Sequence, residues 1–260
     1  MDKWITSLIM GILGAVIALV AWSFLKPAGF NEAQKSEIEK ISGDYFISNP
    51  EILTKAYEKL VAKKTKEDTD QALKSISENL SFLKESKNFE FGNPEGDVEI
   101  VEFLDYQCPH CKNVESTIAE LVKNNPSLRV VIKELPVFGD NSKYAAKAAM
   151  AAEKQGKFVE FHNALLQAKE PLKEEKVLEI AKETGLDVAK LKEDLQQPEY
   201  DQQLRNAYQI AMKLPIKGTP YFILLKKSDS AQNLGPSNVK IIPGEATEAV
   251  FQQSIDALKN

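Results

Sequence analysis

The sequence predicts an α/β domain whose sheet is interrupted by a helical block, preceded by an apolar N-terminal segment and a helical extension. Three observations carry this reading. Residues 98–104, "VEIVEFL", and 128–136, "LRVVIKELP", read as strands, and the helix between them, ending near Asn124, gives the spacing of a right-handed parallel crossover. From about 141 to 214 the pattern is nearly all helical, as in "SKYAAKAAMAAEKQG", "KFVEFHNALLQAK" and "EEKVLEIAKETG". Strands then return in "GTPYFILL" at 218–225 and "VKIIPG" at 239–244, before a closing helix from Ala246.

Taken in order, residues 4–25, "WITSLIMGILGAVIALVAWSFL", form an uncharged run of about 22 residues, enough to cross a ~30 Å hydrocarbon layer. Residues 1–26 are therefore read as a transmembrane anchor or a signal peptide. Trp4 and Trp22 at its two ends, and the weak cleavage pattern "AWS", favour the anchor. Lys3 lies on one side and Lys26 and Lys35 on the other, so charge does not orient it.

Residues 27–87 read as a helical extension. Ile38, Ile41, Tyr45 and Phe46 fall on one face of a first helix. In "SNPE", Asn49 is the expected N-cap of a second helix, with Pro50 and Glu51 in its first turn. That helix has one apolar stripe from Ile52 to Val61 and another from Leu73 to Leu83. These stripes need burial, and packing on a second copy of the chain, which makes the extension a dimerisation element, is favoured over folding back onto the chain's own domain, although no heptad repeat is sustained. Residues 88–260 form the α/β domain, opened by the turn "NPEG" at 93–96.

The 260-residue chain is 43% hydrophobic and 27% charged, with a net charge of −5, and so carries no basic surplus for nucleic acid. Its two cysteines, Cys108 and Cys111, are separated by Pro109 and His110. So short a ring restrains little unfolded-chain entropy, which leaves redox chemistry or metal binding. Zinc needs four ligands, and beyond the pair only His110 and His162 remain. Lys112 stands where covalent haem attachment needs a histidine. No metal or other cofactor is expected. On a strand-to-helix turn, the first sulfur meets the N–H groups and positive dipole end of a helix, which favour the reactive thiolate. Cys108 is then the nucleophile, and Cys111, one turn in and less exposed, the resolving thiol.

"FLDYQCPHC", the helical block with "FHNALL", and "GTPYF" together resemble the DsbA-like thiol oxidoreductases of the thioredoxin superfamily over about residues 88–260. The resemblance implies a thioredoxin fold with an inserted helical domain. It also implies a cis peptide before Pro220, facing the cysteines, and a backbone at Thr219 that pairs with bound peptide. The extension resembles that of the subset whose added N-terminal region mediates dimerisation.

His110 is placed to donate a hydrogen bond or positive charge to the Cys108 thiolate, which makes the disulfide more oxidising. Glu102, Lys133 and Glu115 occupy positions resembling charged residues near the family's active site, where they handle protons; each is also readable as a surface charge. His162 is read as structural. Thr219 departs from the valine of strongly oxidising relatives and matches isomerases and reductases. The function these features imply is oxidation, with isomerisation, of disulfides in exported cysteine-containing proteins in the periplasm. A membrane redox partner, either a quinone-coupled oxidase or a reductase, would recharge the pair. A dedicated isomerase or reductase, and a non-catalytic binding scaffold, are the alternatives.

Overall fold

The structure, a computed structural model, describes residues 10, 11, 14–17, 20, 29–86, 89–214 and 216–259. Most of the apolar run at 4–25, and with it the expected anchor or signal peptide, lies outside the described residues. Among the described residues no helix is long and apolar enough to cross a membrane. The chain divides into two units, Met1–Lys63 and Lys64–Asn260.

In the first unit, α1 (Glu32–Ser48) starts at a capping box: Gln34 N–H donates to Asn31 Oδ1 at 2.9 Å, and Asn31 N–H to Gln34 Oε1 at 3.0 Å. Asn49 does not cap the second helix as expected. Its side-chain amide donates back to the Tyr45 carbonyl at 2.8 Å and closes α1 instead. The long α2 (Pro50–Glu78) follows at once. Ile41, Tyr57 and Leu60 are all more than 60% exposed, so the first stripe and the α1 face lie open to solvent.

In the second unit, the end of α2 is followed by α3 (Leu80–Lys84), β1 (Glu90–Gly92), β2 (Val98–Leu104), α4 (Pro109–Asn124) and β3 (Leu128–Glu134). The helical block is α5 (Asp140–Glu153), α6 (Phe158–Gln167), α7 (Glu174–Glu183), α8 (Val188–Asp194) and α9 (Pro198–Lys213). The chain ends with β4 (Tyr221–Lys226), β5 (Val239–Pro243) and α10 (Glu248–Lys259).

The strands form one sheet in the order β1-β3-β2-β4-β5, with β2 and β3 parallel and the other pairings antiparallel. β2 is central and buried along its whole length, so alternate residues serve two different cores. Val98, Ile100 and Leu104 face α4, α10 and the helical block, where α5 packs closely through six buried alanines. Val101 and Phe103 face the other way, toward Ile76, Leu80, Leu83 and Ile210.

For the second stripe of the extension, that second core selects folding back onto the chain's own domain. Ile76 and Leu83 are 0% exposed, covering the sheet of their own domain. A sheet buries both faces, and the helical block supplies mainly one of them, so the chain before β1 covers the other. The same layer binds the buried Glu99 of β2, which pairs with Arg129 of β3, itself paired with Glu90.

Candidate active site

β2 ends at Leu104, and Asp105 builds the turn into α4. Its Oδ1 accepts from the Gln107 N–H at 2.7 Å, and its Oδ2 from the N–H groups of Val137 and Phe138 at 2.6 and 3.0 Å. The Cys108 N–H donates to the Asp105 carbonyl at 3.0 Å. Cys108 is thereby fixed as the N-cap residue of α4, and Pro109 takes the first helical position, where a missing N–H costs nothing.

Both thiols are unbonded, and both residues are 1% exposed. The cover comes from β4. It runs antiparallel to β2 with Tyr221 opposite Phe103, which carries the preceding cis Thr219–Pro220 peptide to the cysteine turn. Cys108 Sγ lies 3.1 Å from the Thr219 carbonyl oxygen, 111 residues away in sequence.

The two thiols are driven in opposite directions. Cys108 is held down to about 5, first by a hydrogen bond from the Cys111 thiol and also by the backbone N–H groups of Cys111 and His110, against the effect of burial. The Thr219 carbonyl can only accept, so it serves the protonated sulfur. The Thr219 hydroxyl, buried without a partner, is the group on that side able to donate to the anion. Cys111 is pushed far up by its bond to Cys108, by burial and by the charge of Glu102.

Of the two roles expected of His110, a side-chain hydrogen bond to the sulfur is not made, while a charge interaction with Cys108 is. The exposed His110 ring pairs through Nδ1 with Glu245, which follows β5, and His110 also gives Cys108 its backbone N–H.

Beneath the cysteines, Glu102 is buried rather than a surface charge, because its position on β2 alternates with Ile100 and Leu104 on the α4 side. Burial, and then the charge of Glu115, raise its carboxyl to about 8. Glu102, Glu115 and His162 line one cavity of about 270 Å³, closed by Phe91, Ile118 and Val122. Beside it the Tyr106 hydroxyl bridges Glu134 Oε1 and His162 Nδ1, both at 2.8 Å. Burial pushes His162 down to about 3, so its ring is neutral near pH 7, and raises the Glu134 carboxyl well above its ordinary value against the hydrogen bond from Tyr106.

Lys133 is not part of this group. One residue along β3 from Ile132, it points to the opposite face, where its ammonium bonds the carbonyls of Phe82 and Glu85 and lies 4.4 Å over the Phe82 ring. The structure thus gathers Cys108, Pro109, His110, Cys111, Thr219, Pro220, Glu102 and Glu115, and leaves Lys133 out. Sequence reasoning passed over Asp105, Tyr106, Glu134 and Glu245. Asp105 had a local signal, an acid two residues before a turn N–H; the other three are recruited by contacts remote in sequence.

A mixed sheet that sets a cis-proline segment against a helix-terminal dithiol, with a helical block between its parallel and antiparallel halves, is a thioredoxin-like architecture. Within that class, the chain belongs to the family of DSBA-like thioredoxin domains, whose sequence pattern matches residues 99–255. The Na(+)/H(+) antiporter NhaA 3 of Salinispora tropica is 29% identical over 160 residues, 61% of this chain and 24% of the antiporter. The probable disulfide bond formation protein D of Bacillus anthracis is 29% identical over 142 residues, 50% of this chain and 65% of that protein. The chain therefore spans about a quarter of the antiporter's length and just under two thirds of the Bacillus protein. Among solved structures, a thioredoxin-like oxidoreductase from Silicibacter pomeroyi is 35% identical with a TM-score of 0.58, covering 65% of this chain and 91% of its own.

Proposed function

We propose that the protein is a thiol–disulfide oxidoreductase that oxidises cysteine pairs in exported proteins and also rearranges wrong ones. The observation that carries this reading is the opposite displacement of the two thiols, Cys108 down to about 5 and Cys111 far up. In the oxidising direction a substrate thiolate attacks Cys108 Sγ of the enzyme disulfide. The S–S bond breaks, its electron pair leaves on Cys111, and a mixed disulfide forms. Cys111 is a poor leaving group and needs a proton as it departs; Glu102, largely protonated near pH 7, is the donor, with Glu115 and the cavity as its route to water. A second substrate thiolate then attacks the substrate sulfur and expels Cys108 as a stable thiolate, which drives release. The backbone at Thr219 and Pro220, beside the sulfur, is where an extended substrate segment pairs.

Similarity to the probable disulfide bond formation protein of Bacillus and to the thioredoxin-like oxidoreductase of Silicibacter supports the same chemistry. Thr219 and the exposed apolar side chains between Ile38 and Val61 favour an isomerase contribution from a homodimer, in which two sites share one misfolded substrate. Disulfide donation is useful only where thiols are not kept reduced, so the domain works in the periplasm, held there by residues 4–25, and a membrane redox partner recharges it.

The test is trapping on unfolded substrate that carries non-native disulfides. The Cys108 thiolate of Cys111→Ala protein attacks one, displaces a substrate thiolate and is expected to accumulate as the mixed disulfide, whereas Cys108→Ala traps none; equal trapping by both defeats the assignment. Sedimentation of residues 27–260 is expected to show a dimer, and a monomer at micromolar concentration removes the shared-substrate part.

A further inference from the structure

We propose that Glu245 is a positioning residue that restrains the oxidising power of the cysteine pair by holding the His110 imidazolium in an ion pair that offsets its charge at the Cys108 sulfur. The inference rests on the oxidoreductase reading and adds to it a residue 135 positions from its partner. Three observations on one side of the site carry it. His110 Nδ1, the ring nitrogen next to the chain, is engaged by Glu245 Oε1, and the same oxygen accepts from Asn113 Nδ2 at 3.1 Å, so two groups of one α4 turn converge on a single carboxylate. Gly244, at φ +81°, turns the chain sharply after β5 and donates its N–H to the Pro220 carbonyl at 2.9 Å. The proline segment that lies against Cys108 therefore also fixes the residue before Glu245.

The consequence is electrostatic. The charged groups facing His110 are Glu245 from the loop after β5 and Cys108 at the start of its own helix. An imidazolium alone would stabilise the Cys108 thiolate, whereas an imidazolium paired with a carboxylate presents almost no net charge to it. The disulfide is then a weaker oxidant than its Pro-His spacer alone would make it. Glu245 also raises the His110 pKa, so the neutralised pair persists to higher pH than a histidine without that carboxylate would allow. In a Glu245→Gln protein the histidine keeps its charge only at lower pH. Between pH 5 and 6 the thiolate gains an uncompensated positive neighbour, and near pH 8 the neutral ring leaves it about as it was.

Equilibration with glutathione reads this directly. Two glutathione thiols become glutathione disulfide; their two electrons reduce the Cys108–Cys111 bond, one proton stays on Cys111 and one is released. Wild type, Glu245→Gln, His110→Ala and the double variant are compared at pH 6 and pH 8, with the His110 pKa followed by NMR. Glu245→Gln is expected to lower the His110 pKa and to shift the equilibrium toward the dithiol by roughly 1.4- to 5-fold at pH 6, the range of an exposed charge pair, with a smaller shift at pH 8. Loss of His110 is expected to matter more in the Glu245→Gln background than in wild type. Equal effects of His110→Ala in both backgrounds, or an equilibrium independent of residue 245, overturn the inference while leaving the oxidoreductase reading in place. No exchange by any of the four proteins, with both thiols free, overturns the reading and the inference together.

Discussion

Cys108 Sγ lies 3.1 Å from the carbonyl oxygen of Thr219, a contact made across the sheet between the end of β2 and the start of β4. The chain thus closes its own reactive sulfur with the segment proposed above to pair with an extended substrate. Access to Cys108 and recognition of an extended peptide are properties of one place.

Cys108 is expected to titrate with a midpoint near 5, followed by thiolate absorbance in the ultraviolet, while Cys111 stays protonated throughout the accessible range. Its folded value lies below that of an unfolded thiol. Its contribution to the stability of the reduced protein is therefore complete above about pH 8.5 and is lost as pH falls toward 5. The reduced form should gain stability over the oxidised form across that window, measured by denaturant unfolding; a flat difference contradicts the assignment.

Glu102→Gln should slow transfer to a reduced substrate by about 10²-fold or more, because the departing Cys111 loses its proton donor. In wild type that rate should fall as pH rises through about 8, and the variant should lose this dependence. Burial raises the Glu102 pKa, so the folded state prefers the protonated form; the stability this gives is full below about pH 4.5 and declines as pH approaches 8. Glu102→Gln is accordingly expected to be more stable than wild type at pH 7, by about 2–3 kcal/mol. Lower stability at pH 7 would show that the carboxylate is better satisfied than its burial implies.

Leu83→Ala should destabilise the Lys64–Asn260 unit by about 2–5 kcal/mol, since Leu83 is fully buried against Val101, Phe103 and Val131. Leu60→Ala, on the first stripe and outside this core, should change the unfolding of the Lys64–Asn260 unit itself by no more than ~0.5 kcal/mol. Denaturant midpoints separate the two, and equal losses would contradict the division of the stripes.

Lys133→Met should leave the glutathione equilibrium unchanged and reduce stability, because its ammonium serves the carbonyls of Phe82 and Glu85 on the face opposite the cysteines. A changed redox equilibrium with unchanged stability would return Lys133 to the active site.

The sequence by itself determined the parts that local physics controls. A strand followed by Pro109 at a helix start fixes where Cys108 sits; helical periodicity marks the block between β3 and β4; and Thr219–Pro220 precedes a recognisable strand. Each signal lies within a few residues of what it specifies. The faces of the residues were decided only by tertiary structure. Whether Ile76 and Leu83 cover the sheet or a partner, whether Lys133 turns to the cysteines or away, and whether Glu102 meets water all depend on the order β1-β3-β2-β4-β5 and on which layer each side of it receives. His110 and Glu245, or Tyr106, Glu134 and His162, meet because that order folds segments remote in the chain onto one end of the sheet, and no spacing in the sequence encodes such an encounter.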